Sequence, residues 1–336
     1  MEESTLNEKV LFSEYIKLTG RGEKGRTPLT MLEAKQALTD YLQGDASILQ
    51  LAVLLMLQRV RCETPEEAAG YIEALREQVS DQWQTLPVDL DWPCFAGKKR
   101  QPPWLLLAAK VLAANGIKIF LHGHMTVDLI KYQVESACPL LGIEIANTPE
   151  KAKLALEKSA LVYVPLSAYC PELIQLLALR EQVGLRTPLN TVARSVNPTK
   201  APYSIHGVFH KSYEKIHAEA ALLNNEHSII AFKGEGGESE VNPRVSTLAC
   251  GVTQVDGQTH YIEQDWPTYL EDFSGAHTEV SAEYLLKVWN KDIEDKYGDA
   301  AVITTMAMVL KQMQPEYSQD EALQKAKQLW EIRSIG

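Results

Sequence analysis

The sequence is short of several things, and each shortage narrows its function. Its five cysteines, Cys62, Cys94, Cys138, Cys170 and Cys250, form no C-x-x-C pair. They predict reduced thiols in a cytoplasmic protein, with neither a disulfide framework nor a zinc ribbon. No apolar run approaches the roughly 20 residues needed to cross a bilayer, so no membrane partner is expected. The opening MEESTLNEKV lacks the basic-then-apolar layout of a secretory signal. Positive charge is also scarce: 33 Lys and Arg face 44 Asp and Glu, a net charge of −11. That balance argues against a uniformly basic nucleic-acid-binding surface but leaves room for a local basic patch. No G-x-S-x-G and no nucleophile, base and acid set stands out. His122 and His124 alternate along a strand and so face opposite sides. His206 and His210 have no matching third ligand, and no metal site is expected.

What is present is an ordinary globular mixture, 45% hydrophobic and 23% charged over 336 residues. Up to about residue 80 the pattern is helical. Thr30 with Glu33 forms a capping box, Ser47 opens an apolar helix, and Thr64-Pro65 with Glu67 marks a third start. The period then changes. VDLDW, a helix from Trp104 to Asn115, and IKIFLHG make a βαβ unit, which implies a parallel sheet. LVYVPL, YSIHGVFH and HSIIAFKG add strands, with helices at 148–158, 171–183 and 211–224 between them. Asp256-Gly257 joins two alternating segments into a hairpin. A last helix starts at Ser318, capped by Glu321. The fold class is therefore α/β: a small N-terminal helical domain, residues 1–85, and a larger α/β domain, residues 86–336, around a mainly parallel sheet. Ligands are expected at the carboxyl ends of its strands.

Three stretches carry a family resemblance. LTDYLQGDASILQLAVLLMLQRVRCETPEEAAGYIEALRE (38–77), LREQVGLRTPLNTVARSVNP (179–198) and KGEGGESEVNP (233–243) resemble segments of the anthranilate phosphoribosyltransferase family, the TrpD-like members of glycosyltransferase family 3. The likeness runs from about residue 15 to 332. It implies a fold of the nucleoside phosphorylase/phosphoribosyltransferase type and a homodimer built through the helical domain. It also implies transfer of phosphoribose from magnesium-bound PRPP to an aromatic amine. In that frame Arg180 matches the arginine that contacts the anthranilate carboxylate. Gly184, Arg186, Thr187, Asn190, Asn197 and Pro198 match as well, and they equally suit a turn and a helix start.

The residues that define the family's chemistry have changed. Its loop G-T-G-G-D, followed by N-x-S-T, corresponds here to PCFAGKKRQPPWLL, where only Gly97 survives. Pro103, Trp104, Leu105 and Leu106 stand where hydroxyl and amide side chains would meet magnesium and phosphate. Bulky side chains also prevent the close backbone approach that glycine permits. In LHGHMTVDLIK, His122 and Gly123 match the family's K-H-G-N-R loop, but His124 and Met125 replace its asparagine and arginine. Ser239 takes an aspartate position, leaving Glu240 as the sole carboxylate, which would hold magnesium only if PRPP is bound. Magnesium is thus implied only for a working transferase; otherwise no cofactor is expected.

In place of the glycines stand three cations, Lys98, Lys99 and Arg100, beside a helix start carrying Pro102 and Pro103. Cations at the positive end of a helix dipole predict an anion site without a glycine cradle. A solvated surface loop is the alternative. Arg180, Arg186, Arg194, Lys200, Lys233 and Arg244 border the family's cleft and could converge on it. Tyr163, Tyr169 and Tyr203 could stack on bases if they line it, or pack as core or rim. The degenerate loop and Cys170-Pro171, in place of histidine-proline, resemble a divergent TrpD-like branch associated with nucleic acid. Two functions follow. One is binding of single-stranded DNA or RNA, or another phosphate-bearing ligand, through Gly97, Lys98, Lys99, Arg100, His122, Gly123, Arg180, Arg186 and Glu240. The other is a pentosyl or phosphoribosyl transfer enzyme with a changed donor or acceptor; a small-anion sensor with neither role is a further alternative. The catalytic residues of such an enzyme are not identified by the sequence.

Overall fold

The computed structural model describes residues 10–125, 131–271 and 279–334. The opening segment 1–9 and residues 126–130 of the loop after Gly123 lie outside the described residues. The chain folds as a small helical domain followed by a larger α/β domain.

Helices Phe12–Gly20, Met31–Leu42, Ile48–Arg61 and Pro65–Arg76 build the first domain. Three of them start with reciprocal capping boxes, Thr30 with Glu33, Ser47 with Gln50, and Thr64 with Glu67. Each box satisfies backbone N–H groups that the first helical turn leaves open. Glu67 does more than cap. Buried, it also accepts from Leu29 N at 3.0 Å and from Gln58 Nε2 at 2.9 Å, and it pairs with Arg61. One carboxylate thereby ties the loop before Thr30 to the third and fourth helices.

The second domain holds one eight-stranded sheet. Its strands are β1 Leu90–Cys94, β2 Ile119–Gly123, β3 Glu144–Ile145, β4 Leu161–Pro165, β5 Tyr203–Val208, β6 Ser228–Lys233, β7 Thr247–Val255 and β8 Gln258–Trp266. The order is β3-β4-β2-β1-β5-β6-β7-β8. The first six in that row pair in parallel, and β6-β7-β8 pair antiparallel. The hairpin turns at Asp256-Gly257, both with positive φ, as the sequence pattern predicts. The two-residue edge strand β3 carries no sequence signal. β1 starts two residues later than VDLDW suggests and runs through Pro93. The β1–β5 ladder ends at Asp91↔Ser204, so the proline lies beyond it and no N–H is needed on that side.

Strand alternation divides the buried residues into two cores. Ile119 and Leu121 of β2 join Leu90, Trp92, the helix Leu105–Ala114 and the C-terminal helices. Phe120 of β2, with Val162 and Val164 of β4, faces the other way and joins the helical domain. The sheet is thus sandwiched, and its second face meets the first domain directly. The parallel strands β1, β2, β5 and β6 all end at one edge, where the domain junction opens.

Gly70 shows how closely the bundle packs. A Cβ there would lie 2.2 Å from Met31 O and 2.8 Å from Lys35 N. Gly70→Ala should therefore destabilise the protein by roughly 1–3 kcal/mol despite alanine's better helix propensity. Urea unfolding of the two proteins measures this; equal midpoints would show that the helices can separate freely.

Candidate functional site

The site grows from the sheet face that looks toward the helical domain. Alternation and register bring Asp91 of β1, His122 of β2, and Ser204 and His206 of β5 onto that face, all buried. His122 Nδ1 meets the Tyr169 hydroxyl at 2.6 Å, and its Nε2 lies 3.1 Å from Asp91 Oδ1, close but misaligned for a hydrogen bond. Ser204 Oγ donates to Asp91 Oδ2 at 2.8 Å and sits 2.7 Å from His206 Nε2. His206 Nδ1 is 3.1 Å from Nδ1 of His217, on the helix Tyr213–Leu223.

Burial pushes the His206 imidazolium well below its usual range and that of His217 down to about 3, helped by nearby Arg194 for His217. Both rings are therefore neutral near pH 7, and the proton positions follow. The Ser204 proton goes to Asp91, so Ser204 accepts from His206 Nε2–H. His206 Nδ1 then accepts from His217 Nδ1–H, which leaves His217 Nε2 with a lone pair. From Ser204 to His217 the donors and acceptors of this chain match one another.

The loop between β1 and the helix Leu105–Ala114 should be the anion site, and its donors are already taken. Ala96 N donates to Glu238 Oε1 at 2.8 Å, and Gly97 N donates to the same oxygen. Leu105 N, at the helix start, donates to Glu240 Oε2 at 2.9 Å. Lys98 Nζ holds Glu240 Oε1 at 2.6 Å, and both side chains are buried. Burial drives the Glu240 carboxyl up to about 7 against the pull of Lys98, and raises that of Glu238 against the pull of Arg194.

The acidic segment is itself pinned. Ser239 Oγ donates to Pro93 O at 2.9 Å and accepts from Gly207 N at 2.8 Å, while Trp92 Nε1 donates to Ser239 O at 3.1 Å. A Cβ on Gly207 would meet Glu238 O at 2.1 Å, and one on Gly234 would meet it at 1.7 Å. Glycine at both positions permits this approach. The loop thus keeps strand-to-helix anion geometry, with the chain's own carboxylates as the anions.

The three cations expected as one cluster are separated. Lys98 is 1% exposed and neutralised, whereas Lys99 and Arg100 are exposed. A buried carboxylate requires a partner, and Lys98 is the cation within reach. His122 is buried beneath the cleft, and Gly123 keeps β2 close to β1, where a Cβ would lie 2.0 Å from Cys94 O.

Arg180, Arg186 and Arg194 do converge. With Phe95, His124 and Asn190 they line a cavity of about 540 Å³. Arg186, Asn190 and Arg194 also border a smaller cavity that Arg59 and Glu63 of the helical domain complete. Burial and the neighbouring Arg186 lower the Arg194 guanidinium, opposed by Glu238. Lys200, Lys233 and Arg244 line neither cavity; Arg244 stacks over the Tyr297 ring at 5.4 Å. Tyr163 and Tyr169 are core residues, and Tyr203 lines neither cavity, so these three offer no stacking platform there.

Sequence reasoning did not single out Glu238, Asp91, Arg59 or Glu63. For Glu238 a signal existed: three acids in the seven residues GEGGESE, opposite a run of cations. The others are joined only by the fold. Lys98→Met should remove the counter-ion of Glu240, forcing its carboxyl either to stay charged and unpaired or to take up a proton, and cost about 3–5 kcal/mol above pH 7 and less below it. Adding Glu240→Gln to it should recover most of that loss. Denaturant unfolding of both proteins checks the pairing, and equal stability of the single and double variants would contradict it.

Comparison with known proteins completes the description. Residues 13–79 match the helical bundle domain of the glycosyl transferase family, and residues 106–331 match the family's a/b domain. An anthranilate phosphoribosyltransferase of Bacillus pumilus (strain SAFR-032) is 28% identical over 269 residues, covering 78% of each chain. One from Actinobacillus pleuropneumoniae serotype 5b (strain L20) is 28% identical over 293 residues, covering 84% of this chain and 85% of that one. The crystal structure of anthranilate phosphoribosyltransferase (TrpD) from Thermus thermophilus superposes with a TM-score of 0.72 at 20% identity, over 95% of this chain and 94% of that one. The Saccharomyces cerevisiae enzyme in complex with PRPP and Mg superposes with a TM-score of 0.72 at 16% identity, over 95% and 93%. With a bundle domain and an a/b domain matched in order along it, this chain belongs to the glycosyl transferase family.

Proposed function

We propose that this chain holds a phosphate-bearing polyanion, single-stranded DNA or RNA, along its arginine-lined cleft, and does not take up magnesium-PRPP as the yeast relative does. The observation that carries the reading is the occupation of the loop donors by Glu238 and Glu240. A diphosphate would need those same N–H groups. Magnesium would need free carboxylates. Both oxygens of Glu240 are engaged, by Lys98 and Leu105 N, and the Ser239 hydroxyl bridges two backbone groups. The residues present therefore do not fit a magnesium-diphosphate group, and no catalytic step is derived through it.

Arg180, Arg186 and Arg194 keep an anion-attracting wall beside the blocked loop. Exposed Lys99 and Arg100 extend the positive charge outward. Distributed guanidinium and ammonium groups suit a phosphate backbone, which is held by charge without a close-fitting pocket. A homodimer through the helical domain belongs to the same reading. Leu32, Leu49, Val53 and Val60 are exposed there, and the last three fall on one stripe of the helix Ile48–Arg61.

A second reading, phosphoribosyl or other pentosyl transfer to an altered acceptor, has its own support. The curated relatives are such enzymes, and Arg180 stands at the edge of the cavity, exposed, where the family resemblance places the acceptor carboxylate. It requires residues 234–240 to leave the loop.

Fluorescence anisotropy with labelled single-stranded DNA at several salt concentrations tests the first reading. Binding should weaken steeply with salt, and Lys99→Gln with Arg100→Gln should lower the magnitude of the log–log salt slope by roughly 1–2. An absence of binding at low salt would sink it. Calorimetry with magnesium-PRPP should give no heat of binding; micromolar, magnesium-dependent affinity would favour the second reading.

A further inference from the structure

The junction between the two domains is tied by polar contacts, and a pair of histidines sits among them. From the helical domain, Arg76 donates through Nε to Val196 O and through Nη2 to Ser195 O, each at 2.8 Å, and it pairs with Glu226. Arg59 Nη1 donates to the Tyr213 hydroxyl at 2.9 Å, and Glu63 Oε1 accepts from Thr191 Oγ1 at 2.6 Å. The receiving residues belong to the turn 189–196 and to the helix Tyr213–Leu223 with its following residues. That helix packs on the helical domain on one side and on the sheet on the other. His217, buried on it, joins it to the strand and to the turn. Its Nδ1 lies 3.1 Å from His206 Nδ1 on β5 and 3.2 Å from Ser195 Oγ.

The geometry of the pair limits its charge. Two ring nitrogens at that distance hold one proton between them, and a second would set N–H against N–H. The other nitrogen of His206 is taken by Ser204 Oγ at 2.7 Å. The surroundings do not favour a charge either. Arg194 from the turn, Arg76 from the helix Pro65–Arg76 and His122 from β2 all disfavour an imidazolium on His206, and Arg194 disfavours one on His217. The nearby acids are engaged elsewhere. Glu226 pairs with Arg76, Glu238 offsets Arg194, Asp91 accepts from Ser204, and Glu214 accepts from Ser212 N at 3.0 Å. Glu63 shares a cavity with His217, together with Arg59, Arg186, His210 and Tyr213, but exerts no upward pull on it.

We propose that the His206–His217 pair is an acid-sensitive latch at the domain junction, closed while both rings are neutral and released when they take up protons. Release parts the helix Tyr213–Leu223 and the turn from β5 and gives both rings to water. The sign follows from burial, the main cause that holds both imidazoles below their ordinary range. The open state binds protons that the closed state refuses. Closure is therefore fully stable above the ordinary histidine value of about 6.5 and loses stability as pH falls from there toward about 3. The latch operates whatever the cleft binds.

Hydrogen exchange of the full chain at pH 7 and pH 5, with each amide's intrinsic rate corrected for pH, tests the proposal. Protection in 189–196 and 213–223 should fall by roughly 25-fold for each histidine released, and by about 600-fold for both. The helix Lys296–Met313, in the opposite core, should keep its protection. His217→Asn sets a group that does not titrate where Nδ1 lies, and should remove one of the two factors; His206→Gln should remove the other. Each variant is read by its pH dependence, so a uniform loss of stability does not obscure the result. Protection equal at the two pH values would overturn the proposal. So would an equal fall in Lys296–Met313, which marks unfolding of the whole chain, or a fall undiminished in both variants.

Discussion

Two buried carboxylates at the mouth of the strand-to-helix loop organise this molecule's functional face. Backbone N–H groups at a loop and a helix start must find acceptors once water is excluded. Glu238 and Glu240 supply them from within the chain. That solution creates a second requirement, because a carboxylate in a dry interior needs a cation, and Lys98 is drawn inward to provide it. A third follows from the first two. The acidic segment must approach β5 closely, which the backbones of Gly207 and Gly234 allow. Loop, helix start, acidic arm and strand end are thus one interlocked unit.

The same arrangement sets the charge around the cleft. Ala96 N, Gly97 N, Leu105 N and Lys98 are all engaged by Glu238 and Glu240. The remaining cations lie to one side, on the segment from Arg180 to Arg194, and outside, at Lys99 and Arg100. The result is an arginine-lined cavity next to a loop whose donors are occupied from within the chain. Behind it, the chain from Asp91 to His217 is internally bonded, and its two imidazoles, on His206 and His217, are neutral near pH 7.

Much of the architecture was readable from local chemistry. Capping boxes at Thr30, Thr64 and Ser318 are satisfied within a few residues, and so are visible in a short window. The strand-helix alternation and the Asp256-Gly257 turn are equally local. The site was readable in part. That Gly97 is the one glycine of PCFAGKKRQPPWLL is a plain sequence fact, and the arginines at 180, 186 and 194 do meet at one cavity. The environment of Lys98 was not readable, because the carboxylate that captures it lies 142 residues away.

The sequence by itself determined most of the elements, the family's two-part layout and a strand-to-helix loop in which Gly97 is the one glycine, because each of these is written in neighbouring residues. Only the tertiary structure decided which charges are free. A cation's availability depends on what the fold packs against it. In this protein the fold turned Lys98 into a buried counter-ion, left Lys99 and Arg100 at the surface, and set Glu63 with an unmatched oxygen between two domains.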